Sequence, residues 1–337
     1  MIALIIGITG QDGKYLTEFL LEKGYKVYGI KRRTSCDNMG RLKDVIMNVN
    51  LKIFECDITD SMSIYEIVKQ VMPDEIYNLA AQSHVGTSFK IPNYTNNVDG
   101  EGTLNVLRTI TNIKEKQIKF YQASTSELFG KVQQIPQNEM TPFYPRSPYA
   151  IAKLYAYWMT VNFREAYGIY ACNGILFNHE SPYRGSEFVT KKVVRNVIKI
   201  CNKEITSFYV GNLDAKRDWG YAKDYVKAMW LMLQQEKADD YVIATGECHS
   251  VREFIEEAFR CVNIEIIWRG KGIQEEGINK KTGDVLVKVD PQLFRPAEVE
   301  VLIGDSKKAQ KVLGWKPRTT FKRLIEIMIE AEKMSYY

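Results

Sequence analysis

The sequence predicts an α/β protein built on a doubly wound parallel sheet, with a smaller C-terminal substrate-binding region interleaved with it. Three observations carry that expectation. Apolar runs of strand length alternate with segments of helical spacing through residues 1–177. A glycine turn joins the first run to the first helix. Past Ile175-Leu176-Phe177 the alternation gives way to long polar stretches rich in Arg, Lys and Gly, at 178–192, 211–224 and 270–300. Loops of that length in a compact protein are usually functional or disordered.

The first strand is Ile2-Ala3-Leu4-Ile5-Ile6, followed by Gly7-Ile8-Thr9-Gly10-Gln11-Asp12-Gly13 and the helical pattern Tyr15 to Leu21. Glycines in a strand-turn-helix unit permit a tight turn and close backbone approach, so a pyrophosphate can rest on the positive end of the helix. This is a Rossmann-type unit, although its spacing is Gly-x-x-Gly-x-x-Gly. The second strand, Lys26 to Ile30, ends in Lys31-Arg32-Arg33-Thr34-Ser35. An acidic residue there would bind a ribose 2′-hydroxyl, whereas arginines accommodate a 2′-phosphate. NADP is therefore the expected cofactor, with a solvated basic loop as the alternative reading.

Leu51 to Cys56 reads as the third strand, ending in Asp57-Ile58, and Glu75 to Leu79 as the fourth, running into Ala80-Ala81-Gln82-Ser83-His84. Ile64, Ile67, Val68 and Val71 recur at helical spacing between them. Asn105 to Ile110 belongs to a further helix, and Ile118 to Ala123 to a fifth strand. In such sheets ligands lie beyond the carboxyl ends of the strands, where Gly10, Asp57, Ala80 and Thr125 fall. Two helical patterns in 306–337 are separated by Leu313-Gly314-Trp315-Lys316-Pro317. The expected division assigns 1–177 and part of 221–246 to the NADP-binding region, and 178–220 with 247–337 to the substrate-binding region.

Chemistry enters at Tyr149. Ser147 reads as an N-cap and Pro148 as the first residue of a helix, which puts Tyr149 and Lys153 on one face. A phenol with a pKa of about 10 is a poor base at neutral pH, but a nearby ammonium and an oxidised nicotinamide ring favour the phenolate. Tyr149 then suits removal of a proton from a substrate hydroxyl. The plainer alternative is an ordinary aromatic helix, since Tyr155, Tyr157 and Trp158 share the segment. Upstream, Ser124-Thr125-Ser126-Glu127 supplies a separate carboxylate that suits a C–H bond. Redox chemistry with an elimination inside it is the combination these residues suggest.

Composition bounds the rest. Apolar content of 45% and charged content of 26% are those of a soluble globular protein. A net charge of +5 from 46 basic and 41 acidic residues argues against a dedicated nucleic-acid binder. The six cysteines lack Cys-x-x-Cys spacing and the three histidines lack metal-ligand spacing, so reduced thiols and no metal are expected. With neither a signal-peptide pattern nor an apolar run of membrane-spanning length, a cytoplasmic protein is expected.

The chain resembles the extended short-chain dehydrogenase/reductases and, among them, the GDP-mannose 4,6-dehydratase family. Beyond the glycine turn and the Tyr149/Lys153 pair, the resemblance rests on Gly29 to Arg33, Tyr121 to Leu128, Pro142 to Ala150, Asn173 to Pro182, Arg217 to Gly220 and Phe294 to Glu300. It implies conversion of GDP-mannose to GDP-4-keto-6-deoxymannose and water, the first step toward GDP-fucose and related deoxyhexoses. It makes Thr125, Glu127 and Tyr149 catalytic, with Lys153 holding the nicotinamide ribose. Gly7, Ile8, Thr9, Gly10, Gln11, Asp12, Gly13, Arg32, Arg33, Thr34, Ser35, Asp57, Ile58, Leu79, Ala80, Ala81, Gln82, Ser83, Tyr94, His179 and Arg184 would contact NADP. Ser83, Asn178, Lys192, Arg217, Arg295 and Glu298 would hold the GDP-sugar. A homo-oligomer, dimer or tetramer, is implied as well.

Tyr183 and Lys191 stand where relatives usually carry arginine, and Ser126 where dehydratases of other nucleotide sugars carry Asp, so a single carboxylate serves both proton steps. A sugar-nucleotide 4-epimerase needs no base at C5, and Glu127 argues against it. Another sugar-nucleotide dehydratase and a non-catalytic nucleotide-sugar binding protein are the remaining alternatives.

Overall fold

In the computed structural model, described for residues 1–35, 38–294, 299 and 301–336, the strand-helix alternation produces one central sheet. Its strands are β1 (Ile2–Ile6), β2 (Lys26–Lys31), β3 (Leu51–Glu55), β4 (Glu75–Asn78), β5 (Lys119–Thr125), β6 (Ala171–Leu176) and β7 (Tyr241–Ile243). They lie in the order β3-β2-β1-β4-β5-β6-β7, with every pairing parallel. The order reverses at β1 and β4, so their connections leave in opposite directions and a crevice opens beyond their carboxyl ends.

The helices are α1 (Gln11–Glu22), α2 (Ser61–Val71), α3 (Gly102–Asn112), α4 (Pro148–Tyr167), α5 (Val189–Cys201), α6 (Ala222–Leu233), α7 (Val251–Arg260), α8 (Lys307–Leu313) and α9 (Phe321–Met334), besides shorter turns. Leu16 and Leu20 of α1 pack with Val226 and Met229 of α6 on one face of the sheet. Ile64 and Val68 of α2 pack with Val106 and Leu107 of α3 on the other. Because both faces are covered, β1 is apolar throughout instead of alternating. Ala309, Leu313 and Trp315, from the stretch expected in the substrate-binding region, pack into the α1/α6 core. The Trp315 indole N–H donates to the Asp224 carbonyl at 2.9 Å.

A second core joins Val193 and Val197 of α5, Phe254 and Ala258 of α7, and Leu324 and Met328 of α9. They close over the short strand Phe208–Val210, which pairs with Val285–Val289. The stretches that read as long loops hold such short strands: Asn178–Glu180 pairs with Trp219–Tyr221, and Glu276–Asn279 forms a hairpin with Val285–Val289. Strands this short offer too few residues for a period-two pattern to stand out.

The boundaries follow local chemistry. Ser147 Oγ accepts the Ala150 N–H at 3.1 Å and Pro148 takes the first turn of α4, as expected, a cap contributing about 1 kcal/mol. Gly168, at φ 66°, ends that helix in the left-handed region. α1 starts at Gln11, four residues before its apolar pattern does. β5 runs to Thr125, past the expected Ala123, so Ser124 and Thr125 sit at the carboxyl edge of the sheet.

Candidate active site

A cleft of about 1410 Å³ runs along the carboxyl ends of the central strands and beneath α5. Its floor is set by glycine. Gly7 lies at φ +88°, and a Cβ there would stand 2.9 Å from the Ala80 nitrogen. A Cβ on Gly13 would stand 2.4 Å from the Ile8 carbonyl oxygen, so the two glycines let α1 abut the sheet. Gly10 precedes α1 without a side-chain cap, and the amides of its first turn face the cleft as an anion seat.

Of the residues expected at a cofactor, Gly7, Thr9, Gly10, Gln11, Asp12, Gly13, Arg32, Thr34, Asp57, Ile58, Leu79, Ala80, Ala81, Gln82, Ser83, Tyr94, His179 and Arg184 line this cleft. Ile8 does not: it is fully buried in the core and its N–H donates to the Ile30 carbonyl at 3.3 Å. Arg33 and Ser35 lie outside the lining, while Arg32 and Thr34, equally exposed, border the cleft from alternate positions after β2. The Arg32 guanidinium donates to the Tyr94 hydroxyl. Among the residues expected at a substrate, Ser83, Asn178, Lys192 and Arg217 line the cleft, while Arg295 and Glu298 lie outside the described residues. Asn178 Oδ1 is buried with no hydrogen-bond partner among the described residues, an acceptor left open beside the cleft.

The four residues expected to be catalytic converge where β5 meets α4. Thr125 closes β5, and its Oγ1 accepts the Glu127 N–H at 3.2 Å, winding Ser126–Leu128 into a single tight turn. Glu127 and Tyr149 both line the cleft while remaining largely buried. Lys153, one turn along α4 from Tyr149, is 2% exposed and donates to the Ala123 carbonyl at 3.0 Å. Burial pushes the Tyr149 phenol well above its ordinary value and the charge of Asp99 adds to this, while a hydrogen bond with Thr125 works the other way. Burial also lowers the Lys153 ammonium, against the opposing pull of Asp99.

Gln11 and Asp12 turn to the chain that follows β6. The Gln11 amide donates to the His179 carbonyl at 3.0 Å and accepts from the Ser181 hydroxyl at 2.7 Å. His179 Nε2 meets the Asp12 carboxylate at 2.8 Å, while Nδ1 meets the Phe177 carbonyl at 2.8 Å. Both ring nitrogens face acceptors, an arrangement that favours the doubly protonated ring. Burial opposes that charge, but Asp12 outweighs it and raises His179 above its ordinary value. Burial likewise opposes the charge of Asp12, and His179 holds the carboxyl below its ordinary range.

Arg184 is held by Glu180 at 3.0 Å and lies over the Phe188 ring at 3.6 Å. At the two departures, Lys191 ties the Pro182 carbonyl at 3.0 Å to Glu332 of α9, and the Tyr183 ring stands edge-on to Tyr15. Sequence reasoning missed Arg41, which donates to the Thr9 carbonyl at 3.0 Å, and Arg195 and Lys199 on the cleft side of α5. The spacing of Lys192, Arg195 and Lys199 places them on one helical face and was the available signal for the last two. Arg41 carried none, because only the fold brings it to Thr9. Among the described residues, no group of three or more His, Cys, Asp or Glu could hold a metal, and the described cysteines are free.

The family model for GDP-mannose 4,6 dehydratase matches residues 4–328. A GDP-mannose 4,6 dehydratase of Homo sapiens is 56% identical, covering 98% of this chain and 91% of the relative. Those of Drosophila melanogaster (55%; 98% and 86% covered) and Vibrio cholerae serotype O1 (54%; 98% and 93% covered) are similar over the same span. Among solved structures, a UDP-glucose 4-epimerase of Thermotoga maritima superposes with a TM-score of 0.83 at 22% identity, over 100% of both chains. A dTDP-glucose 4,6-dehydratase of Streptomyces venezuelae, solved with NAD and TYD bound, gives 0.84 at 20%, over 99% of this chain and 97% of the other. At those identities the likeness is one of fold.

Proposed function

We infer the activity from kinship: the chain belongs to the GDP-mannose 4,6 dehydratase family. It is a hydro-lyase that converts GDP-mannose to GDP-4-keto-6-deoxymannose and water. The observation that carries the reading to this molecule is the convergence of Thr125, Glu127, Tyr149 and Lys153 in one cleft with an uncapped helix N-terminus and a glycine floor.

We propose that the cleft holds NADP, as the first step toward GDP-fucose and related sugars requires a hydride carrier. The Gly7 and Gly13 floor, the open first turn of α1 and Arg32 at the cleft border all fit a dinucleotide bearing a 2′-phosphate. A bound dinucleotide would supply the carrier for a hydride moved from C4 to C6. Tyr149 takes the O4 proton, with the Lys153 ammonium favouring the phenolate that burial opposes. The C4 ketone acidifies the C5–H bond, and Glu127 takes that proton. Carrying it, Glu127 protonates the leaving C6 hydroxyl through a network that includes Thr125, releasing water. C5 then regains one proton, balancing the one lost from O4, so no net reductant is consumed. Arg217 and Lys192 suit the diphosphate, and Asn178 offers its open acceptor to the sugar nucleotide.

Residues 1–177 with part of 221–246 are the proposed NADP-binding region, and 178–220 with 247–337 the substrate-binding region. The two separate apolar cores support that division, with α8 returning to the first. We propose a cytoplasmic homo-oligomer. No described helix is long and apolar enough to cross a membrane, and Ile151, Tyr155 and Trp158 leave an apolar row exposed along α4 for a second copy.

Two measurements test the reading. GDP-mannose deuterated at C4 yields product with that deuterium at C6 and solvent hydrogen at C5, read by mass spectrometry. Label lost to water or to free dinucleotide overturns the closed cycle, and label kept at C4 with inverted configuration identifies an epimerase. Arg32→Ala weakens NADP roughly tenfold, about 1.4 kcal/mol, and NAD much less, by calorimetric titration. Equal loss for both dinucleotides removes the NADP assignment.

A further inference from the structure

Asp99 is a carboxyl that the proposed reaction does not use, on a turn that packs against the helix carrying Tyr149 and Lys153. It sits on a single wide turn of helix, Asn97–Glu101, that leads into α3 and packs against α4. Wide turns of this kind recur at functional positions. The side chain is fully buried. Its Oδ1 accepts the Gln82 N–H at 2.7 Å, and its Oδ2 has no hydrogen-bond partner among the described residues. A buried acceptor left open is costly, of order 1–3 kcal/mol, so its retention calls for a reason.

The charged group acting on Asp99 is Lys153 of α4, and Tyr149 of the same helix feels the carboxylate in return. From the segment after β4 only the Gln82 amide faces it. Its own turn carries Glu101, which is exposed and acts on Tyr155 instead. Lys153 is almost fully buried, and among the described residues it donates to a neutral carbonyl, Ala123. An ammonium so placed is held charged by an opposite charge or it deprotonates.

We propose that Asp99 is a positioning residue of the active site, the buried counter-charge that keeps Lys153 protonated and sets the pH window in which Tyr149 serves as base. The inference rests on the role given to Tyr149 under the proposed function. Burial pushes the Asp99 carboxyl up to about 7, with Lys153 and the Gln82 amide opposing, so it changes charge within the physiological range.

The sign of the effect follows from charge alone. Asp99→Asn keeps the Gln82 hydrogen bond and the shape while removing a negative charge, so the pKa of every neighbouring ionisable group falls. Both Lys153 and Tyr149 titrate at lower pH. The acidic and alkaline limbs of kcat/KM for GDP-mannose therefore both move toward acid, by about one pH unit or more. A merely structural role lowers the plateau and leaves the limbs in place, and that result overturns the proposal. A second measurement needs no turnover. An infrared carboxylic-acid band of the wild-type protein that titrates near neutrality is absent in Asp99→Asn and persists to higher pH in Lys153→Met. A band unmoved by Lys153→Met refutes the pairing. If wild-type protein makes no product from GDP-mannose, the functional reading fails while the infrared titration still decides the Asp99–Lys153 pair.

Discussion

The two ends of the cleft are built from different materials. At β1 and α1 the surface is backbone: Gly7 and Gly13 leave no room for a Cβ, and Gly10 leads into the uncapped first turn of α1. On the other side it is side chain: Glu127 after β5, Tyr149 and Lys153 on α4, Lys192 on α5 and Arg217 on a short strand beyond it all line the cleft. A backbone surface is specified by what is missing, and it tolerates no addition. A side-chain surface is specified by functional groups, and it tolerates their loss structurally while losing chemistry.

That contrast breaks first at Glu127. Glu127→Gln keeps the shape of the turn and the binding of both ligands, but turnover falls by roughly two to four orders of magnitude. Calorimetry for binding beside product formation by chromatography gives the split, and full activity in this variant removes the C5 base. Gly13→Ala fails the opposite way. Its new Cβ meets the Ile8 carbonyl at 2.4 Å, fixed backbone that cannot yield. Overpacking of about 1–3 kcal/mol, at its upper end here, outweighs the gain of about 1 kcal/mol in helix propensity. Denaturant unfolding shows a net loss of about 2 kcal/mol together with weakened dinucleotide binding, and an unchanged midpoint contradicts the backbone account.

The smallest effect lies at the seam, where Asp12 of the first surface meets His179 of the second. His179 is raised in the fold, so its contribution is complete below its unfolded value near 6.5 and is lost as pH rises through the folded one. Asp12 is lowered, so its contribution is present above its unfolded value near 3.8 and is lost as pH falls through the folded one. The pair therefore stabilises between those limits. Asp12→Asn loses about 1 kcal/mol at pH 6 and less at pH 9, by urea unfolding at each pH. A deficit that grows with pH reverses the assignment.

The same division explains what the sequence made legible. Strand-turn-helix order, the glycine turn and the Ser147-Pro148 cap act locally, and each left a mark where it acts. Thr125, Glu127, Tyr149 and Lys153 were findable because two short motifs carry them, and the fold joins the motifs at one edge of the sheet. Asp99, Arg41 and the Gln11–Ser181 clamp left no such mark. Their partners are distant in the chain, and an isolated Asp, Arg or Gln looks the same whether it is solvated or central. The short strands at Asn178–Glu180 and Trp219–Tyr221 were hidden for a related reason, since their pairing is with each other across some forty residues.

Trp315 sets a schedule for synthesis. The α1/α6 core closes over it, and Asp224, in the first turn of α6, accepts the indole N–H on its carbonyl and the amides of Arg318 and Thr319 on its carboxylate. A chain emerging from the ribosome completes α6 about eighty residues before it reaches this tryptophan. At about 5–20 residues per second the sheet half of the chain waits on the order of ten seconds with one side of its core open. During that interval the exposed faces of α1 and α6 are the surfaces a chaperone would meet.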